Sequence, residues 1–188
     1  MSMAERCMKD YEVVFQTERL RLEPLRASHA PEMFAFLSDP RLYQFIPRDP
    51  PQTLASLVER FQRLETRRSS NGDEIWLNWV ARSKLDNNCL GRVEVTIRQD
   101  ASAYLAYEIE MASWGRGFAT EACRRVIEGL FGEFGVTLIV AEVDTRNVAS
   151  IRVLERLGFQ RGGLRKNADF FKGSTSDEFT YVLTRPLS

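Results

Sequence analysis

Two glycines enclose an arginine between a predicted strand and a predicted helix, in the run Gly115-Arg116-Gly117-Phe118-Ala119. Glycine lets the backbone approach a ligand closely, and the first amide groups of a helix have no partner inside the helix. These features together suit the binding of a phosphate group at the helix start. A tight turn that needs glycine for its backbone angles would produce the same pattern.

The run departs from two common nucleotide-binding motifs. A dinucleotide fingerprint needs a third small residue where Thr120 stands, and it belongs to the first strand and helix of a parallel sheet. A P-loop ends in Gly-Lys-Ser or Gly-Lys-Thr, whereas this run continues as Thr120-Glu121. A plain nucleotide-binding domain that uses the loop for ATP or NAD stays an alternative, and it predicts stabilisation by those ligands.

The other reactive side chains form no motif for nucleophilic or metal chemistry. The cysteines, Cys7, Cys89 and Cys123, are widely spaced, and the single histidine, His29, lies near a predicted helix start. This pattern excludes a disulfide framework, most zinc sites and the Ser-His-Asp or Cys-His arrangements. We therefore predict no metal site, and we predict that Cys123 is a core residue and not a nucleophile.

The composition is that of a soluble globular protein. The chain has 188 residues, of which 44% are hydrophobic and 28% charged, and its 26 Lys and Arg residues balance 26 Asp and Glu residues. Disorder would require fewer apolar residues and a net charge, and duplex binding usually requires a basic excess. The sequence has no apolar run of about 20 residues and no apolar core near its N-terminus. We predict a cytoplasmic protein, monomeric or homodimeric, without nucleic-acid or membrane partners.

The periodicity of apolar residues predicts an antiparallel first half and a strand–helix–strand second half. In the first half we predict a strand at Glu18–Leu25, helices at Pro31–Leu37 and Leu54–Arg68, a hairpin of Glu74–Ser83 with Cys89–Arg98, and a strand at Ala103–Met111. In the second half we predict a helix after Gly117, a strand at Leu138–Val143, a helix at Asn147–Leu157 closed by Gly158, a strand from Phe159, a loop at Lys166–Thr175 and a last strand at Phe179–Leu183. A strand–helix–strand unit implies a parallel pair, so the fold class is α/β with a mixed sheet. We expect an N-terminal extension over residues 1–16 and a single domain over residues 17–185.

Two motifs in a fixed order carry a family resemblance. The segment 107–122, followed by Asn147-Val148-Ala149-Ser150 and by the run from Leu154 to Phe159, resembles the GNAT acetyltransferases. The similarity is greatest to the RimJ/RimL-like branch, which acetylates protein N-termini. The run from Thr17 to Leu22 and Asp177 before the last strand extend the resemblance over about residues 17–183.

The resemblance implies acetyl-CoA as co-substrate and a location for it. The strands Ala103–Met111 and Leu138–Val143 would splay apart to admit the pantetheine arm, whose amides would pair with the first strand's backbone. The pyrophosphate would lie on the amides of the glycine run. The residues implied at the coenzyme are Ile109, Glu110, Met111, Trp114, Gly115, Arg116, Gly117, Phe118, Ala119, Thr120, Asn147 and Ser150.

Two residues of this sequence depart from the catalytic pattern of the family. The tyrosine that many members use as general acid falls at Leu154, so Ser150, one helical turn earlier, is the candidate acid. The glutamate common at the strand start falls at Tyr104, which we retain as a candidate catalytic residue. Alternation places Tyr104 and Glu108 on one strand face, so Glu108 is the candidate base, with Glu142 on the adjacent strand in reserve.

The resemblance predicts acetyl transfer from acetyl-CoA to a primary amine, of a protein N-terminus or a small molecule, by direct attack in a ternary complex. A strand amide would polarise the thioester carbonyl. The missing tyrosine and glutamate support an alternative, in which the protein binds acetyl-CoA as a sensor or interaction module and has lost catalysis.

Overall fold

An eight-stranded mixed sheet runs through residues 11–185, the part of the chain that this computed structural model describes. The strand order is β1-β2-β3-β4-β5-β6-β8-β7. The strands are β1 Phe15–Gln16, β2 Leu20–Pro24, β3 Glu74–Ser83, β4 Cys89–Arg98, β5 Ser102–Ile109, β6 Leu138–Asp144, β7 Gln160–Phe171 and β8 Ser174–Thr184. The helices are α1 Ala30–Leu37, α2 Leu54–Glu65, α3 Phe118–Gly132 and α4 Val148–Arg156.

The first half of the sheet is antiparallel from β1 to β5. The predicted hairpin is confirmed, with β3 and β4 at the bounds given by the apolar alternation. The two strands pair along their length, and the register shifts between Ala81 and Arg82, where Gly91 lies opposite. A side chain at Gly91 would overlap the Glu108 carbonyl, at 2.1 Å, so glycine allows β4 to approach β5 closely there.

The predicted parallel pair is also confirmed, and it is short. Strands β5 and β6 pair at Ser102 with Leu138, Ala103 with Ile139 and Tyr104 with Val140, and the pairing ends there. Strand β6 nevertheless pairs with β8 up to Asp144, and β5 with β4 up to Ile109. The segments 105–109 and 141–144 therefore diverge, and a gap opens between two strands that are each held from outside.

Helices cover both faces of the sheet. Apolar residues of α3 and α4, including Val126, Leu130 and Leu154, pack with Leu77 and Trp79 in the larger core. A smaller core joins α1 and α2 to the other face through Phe61 and Val80. The gap between β5 and β6 thus opens on two chemically separate faces, which we call the coenzyme face (α3 and α4) and the acceptor face (α2).

The structure changes several predicted boundaries; for example, α2 ends at Glu65 and not at Arg68, and β8 begins at Ser174 and not at Phe179. The loop expected at Lys166–Thr175 is mostly strand, because β7 pairs with β8 on both sides of irregularities at Arg161/Gly163 and Arg165/Asp169 that accommodate its polar residues. Strand β5 ends at Ile109, and Met111–Ser113 form a 3₁₀ turn. Tyr11 and Phe15 lie in the larger core, so residues 11–16 pack with the domain, while residues 1–10 of the expected extension lie outside the described residues.

In the described part of the chain, no helix is both long and apolar enough to cross a membrane.

Candidate coenzyme and acceptor sites

The start of α3 presents unpaired amide groups. The first hydrogen bond of the helix runs from Glu121 N to the Gly117 carbonyl, so the amides of Phe118, Ala119 and Thr120 have no partner inside the helix. Gly117 occupies the N-cap position without a side-chain cap, at φ +82°, and Gly115 lies at φ +73°. Both angles lie in the left-handed region that favours glycine. The predicted glycine run therefore forms a concave, positively polarised helix start.

The segment that begins at Thr17 holds this helix start in place. Glu121 accepts hydrogen bonds from Thr17 Oγ1 at 2.5 Å, from Arg19 N at 2.9 Å and from Arg19 Nε at 2.6 Å. Arg19 Nη1 also donates to the Arg116 carbonyl at 3.0 Å, and its guanidinium lies over the Phe118 ring. Burial alone raises the pKa of Glu121, but these hydrogen bonds lower it on balance. Sequence analysis noted the Thr17 run only as part of the resemblance, and the structure shows its physical role.

A cavity of about 530 Å³ adjoins the helix start. Its lining includes Gly117, Thr120, Arg124 and Arg156. Arg124 donates a 3.4 Å hydrogen bond to the Arg156 carbonyl, and within residues 11–185 neither guanidinium forms an ion pair. Glu18, Glu121 and Glu128 also line this cavity, so the two guanidinium groups without ion pairs and the free amides are the features that favour a ligand with phosphate groups.

The diverging segment of β5 leaves backbone groups free at the gap. Glu110 N donates to the Leu90 carbonyl, toward β4, and the Met111 carbonyl accepts from Trp114 N. The Ile109 carbonyl accepts from Trp114 Nε1 at 2.6 Å. Since backbone groups alternate between the two edges of a strand, those of Tyr107 and the amide of Ile109 point to the gap. Strand addition by a ligand is thus available one to two residues earlier than the predicted Ile109–Met111.

A pair of hydroxyl groups joins β5 to α4 on the coenzyme face. The Tyr107 hydroxyl lies 2.8 Å from Ser150 Oγ and donates to the Ser150 carbonyl at 3.3 Å. The Asn147 side chain caps α4 by accepting from Ser150 N at 3.1 Å, so both predicted α4 residues lie at the gap. Burial raises the pKa of Tyr107 strongly, so its hydroxyl keeps its proton. Sequence analysis did not assign Tyr107 a role and used it only as the first residue of the segment that carries the family resemblance.

The acceptor face carries a second cavity, of about 350 Å³. Tyr104 and Ala106 of β5 and Glu142 of β6 line it, as the predicted shared face requires. Glu142 is exposed, and within residues 11–185 its side chain forms no hydrogen bond or ion pair. The wall also contains the aromatic ring of Trp76 and the polar side chains of Arg48, Arg60, Asn78, Glu94, Thr96 and Glu178.

Glu108 lies behind this cavity in a buried ion-pair cluster. Its side chain is 4% exposed and accepts from Arg92 Nε at 2.6 Å and from Arg48 Nη2 at 2.5 Å. Burial alone raises the pKa of Glu108, but the two guanidinium groups lower it on balance. Both carboxylate oxygens are engaged, which makes Glu108 an anchor for two arginines and leaves Glu142 as the free carboxylate next to the gap.

Comparison with known proteins decides the family. The sequence matches the Acetyltransferase (GNAT) domain family over residues 19–160. The chain belongs to the GNAT acetyltransferases. This family is one of acetyl-CoA-dependent acetyltransferases. Among curated relatives, the uncharacterized N-acetyltransferase YoaA of Bacillus subtilis is 23% identical over 175 residues, 92% of this chain and 97% of that protein.

Solved structures show the same fold. The ribosomal-protein-S5-alanine acetyltransferase of Vibrio fischeri superposes with a TM-score of 0.81 at 20% identity, over 92% of this chain and 96% of that chain. Mycobacterium smegmatis RimJ, solved in complex with CoA-disulfide, gives a TM-score of 0.80 at 19% identity, over 93% of this chain and 88% of that chain. The GNAT fold predicted from the two motifs is confirmed, and its structural neighbours include the RimJ/RimL enzymes.

Within residues 11–185 the structure shows no group of three or more His, Cys, Asp or Glu side chains that could hold a metal ion. The thiol of Cys123 is fully buried in α3, and burial raises its pKa. Neither finding offers an alternative centre to the gap between β5 and β6.

Proposed function

We propose that this protein transfers the acetyl group of acetyl-CoA to a primary amine bound in the acceptor-face cavity, by direct attack through the gap between β5 and β6. The observation that carries the proposal is the gap itself. On one face it leads to the free amides of α3, and on the other it leads to a cavity with a free carboxylate. Two substrates that approach from opposite faces would meet without an acetylated enzyme.

The coenzyme-face residues fit acetyl-CoA. The amides of residues 117–120 and the guanidinium groups of Arg116, Arg124 and Arg156 would hold its phosphates, and the free edge of β5 would pair with its amide-bearing arm. When bound, acetyl-CoA supplies a thioester as the acetyl donor.

The Ser150–Tyr107 pair would supply the acid. Ser150 Oγ would donate a proton to the leaving thiolate, and the Tyr107 hydroxyl at 2.8 Å, which keeps its own proton, would stabilise the resulting oxyanion by a hydrogen bond until a proton from solvent restores the serine hydroxyl. This arrangement provides a proton donor in spite of Leu154, which occupies the position of the usual tyrosine.

Glu142 would supply the base. An ammonium group has no lone pair, so the acceptor must lose a proton before it attacks. Glu142 lines the cavity beside the gap without a competing cation bound to it, whereas Glu108 is held by two. The proton would pass to Glu142 directly or through water.

A second candidate is an acetyl-CoA-binding protein that has lost catalysis. It is favoured by Leu154 and Tyr104, which replace the acid and the glutamate expected from the resemblance. It predicts binding of acetyl-CoA with no turnover on any amine.

Two assays together distinguish catalysis from binding alone. Thermal unfolding with acetyl-CoA, CoA, ATP and NAD tests binding, and release of the free thiol across a panel of amines tests transfer. We expect acetyl-CoA and CoA to stabilise the protein, and at least one amine to release thiol. Glu142→Gln should lower turnover most at neutral pH and less at high pH, where free amine is plentiful. The matched control is Glu59→Gln, because Glu59 is an exposed carboxylate on α2. Binding without thiol release on any amine would favour the second candidate.

A further inference from the structure

The acceptor-face cavity has basic side chains on one side and acidic side chains on the other. Arg60 on α2 and Arg48 in the segment 38–53 form one wall. Glu142 on β6 and Glu178 on β8 form part of the wall across the sheet. A molecule in this cavity therefore meets guanidinium groups at one end and carboxylates at the other.

The basic wall contains more cations than anions. Arg60 Nη2 lies 3.2 Å from Glu94 Oε1, but the same oxygen is 2.8 Å from Arg92 Nη1. Arg48 and Arg92 also share Glu108, each on a separate carboxylate oxygen. Three guanidinium groups thus share two carboxylates, and one positive charge is left over in a partly buried cluster. Arg48 Nε is buried without a hydrogen-bond partner.

Arg60 is the arginine of this cluster whose charged form is disfavoured by burial and by the neighbouring Arg92. Its side chain is only 20% exposed, and burial, followed by repulsion from Arg92, lowers its pKa to about 10. A buried charge is costly unless it is paired. An anionic group at Arg60 and Arg48 would complete the pairing that Glu94 and Glu108 leave unfinished.

The acidic wall has an excess of negative charge. Glu178 is paired with Arg165, and burial and then the neighbouring Glu142 raise its pKa. Glu142 has no ion pair in the described part of the chain, and it stands beside the gap where acetyl transfer would occur. An amine is attracted to this end, and an anionic group on the same molecule is attracted to the other.

We propose that Arg48 and Arg60 form a carboxylate subsite, and that the acceptor is a small amine that also carries a carboxylate, the chemical class of the free amino acids. The proposal rests on the proposed acetyl transfer and names its acceptor class. A cavity of about 350 Å³ is within the range of small-ligand sites and holds a molecule of this size. Guanidinium groups bind carboxylates through paired, charge-assisted hydrogen bonds, which gives the subsite its selectivity.

The test compares L-amino acids with their α-amides as acceptors, by thiol release from acetyl-CoA at fixed pH. Removal of the carboxylate charge lowers the pKa of the amine, so at neutral pH a larger fraction of the amide is free amine, and ionisation of the amine does not favour the acid. A preference for the acid therefore reports the subsite. We expect kcat/KM for at least one acid to exceed that of its amide by about 10-fold to 100-fold, the effect of one or two charge-assisted hydrogen bonds.

Variants locate the preference. Arg60→Gln should bring the ratio of acid to amide close to one, mainly through KM, and Arg60→Lys should keep part of it. Arg63→Gln is the matched control, because Arg63 is exposed on the same helix and does not line the cavity. Thermal unfolding verifies that each variant is folded, and the ratio in the unmodified protein is informative even if Arg60→Gln fails to fold.

Four outcomes would contradict the proposed carboxylate subsite. Equal use of acid and amide by the unmodified protein, or a preference that survives in both Arg60→Gln and Arg48→Gln, would overturn the subsite and show that the cluster only joins α2 to the sheet. Acetylation of polyamines or peptide N-termini without any amino acid would overturn the subsite and leave acetyl transfer intact. Binding of acetyl-CoA with no acetylated amine would overturn both.

Discussion

The phosphate cradle at the start of α3 is tested by Gly117→Ala. Gly117 has φ +82°, and a residue with a side chain costs about 1–2 kcal/mol in the left-handed region. An added Cβ would meet Arg19 Nη2 at 3.5 Å, an ordinary contact, so backbone strain alone sets the loss of stability. For a domain of this size, each kcal/mol moves the unfolding midpoint by about 2–4 °C. We expect the variant to fold, with a midpoint about 2–8 °C lower.

The effect on coenzyme binding should be larger. A ligand that binds only the folded protein adds about 2.7 kcal/mol at one hundred times its Kd, which corresponds to a rise of about 5–11 °C for the unmodified protein. In the variant, the methyl group stands where a phosphate oxygen would approach the amides of Phe118 to Thr120. Thermal unfolding during a titration with CoA should show that most of this rise is lost.

Gly72→Ala separates strain from binding. Gly72 has φ +78° and lies in the loop before β3, where an added Cβ would have no heavy atom within 4 Å. The substitution should lower the midpoint by a similar amount and keep the full rise with CoA. If Gly117→Ala also keeps the full rise, the phosphates do not bind at this helix start, and the assignment of the coenzyme face is refuted.

Three further perturbations test the catalytic pair, the buried cluster and the acid limb of stability. Ser150→Ala should lower kcat by about 10²–10⁴-fold with little change in CoA affinity. Tyr107→Phe should lower kcat less. An unchanged kcat with a raised KM would show that Ser150 is only a binding residue. Glu108→Gln leaves the fully buried Arg92 without its closest partner and should cost about 3–5 kcal/mol in urea unfolding, and an unchanged midpoint would contradict the cluster. Burial raises the pKa of Asp144, but hydrogen bonds from Arg146 and Ser176 lower it to about 2 from 3.8. Its ionised form therefore stabilises the fold above about pH 4, and this stabilisation is lost as the pH falls to about 2. Asp144→Asn should accordingly reduce the acid loss of unfolding free energy between pH 4 and 2, and an acid limb identical to that of the unmodified protein would contradict the assignment.

The sequence pattern was sufficient to predict the elements whose structure depends on neighbouring residues in the sequence. The hairpin was predicted from two strand-forming runs separated by a short polar turn, and both strands are largely buried in the structure. Gly158 ends α4 at φ +89°, as its predicted role of C-cap requires. The glycine run and the first residues of α3 likewise form the predicted helix start with unpaired amides.

The contacts that define the chemistry depend on long-range geometry. Arg48 reaches Glu108 from a segment without regular periodicity, 60 residues away in sequence, so the strand pattern showed the face of Glu108 and not its partner. Tyr107 and Ser150 are 43 residues apart in sequence and meet only through the packing of α4 against the sheet, which neither local pattern determines. The irregularities in β7 allowed a strand where polar residues and Gly173 suggested a loop.

The most direct test of acetyl transfer follows the acetyl group itself. The protein is incubated with acetyl-CoA labelled in the acetyl group and with the amine panel, and free CoA thiol, labelled amine and labelled protein are quantified in the same reaction. Direct attack in a ternary complex predicts labelled amine and free thiol in equal amounts, with no label on the protein. Thiol release without labelled amine, or label that accumulates on the protein before it reaches the amine, would contradict it.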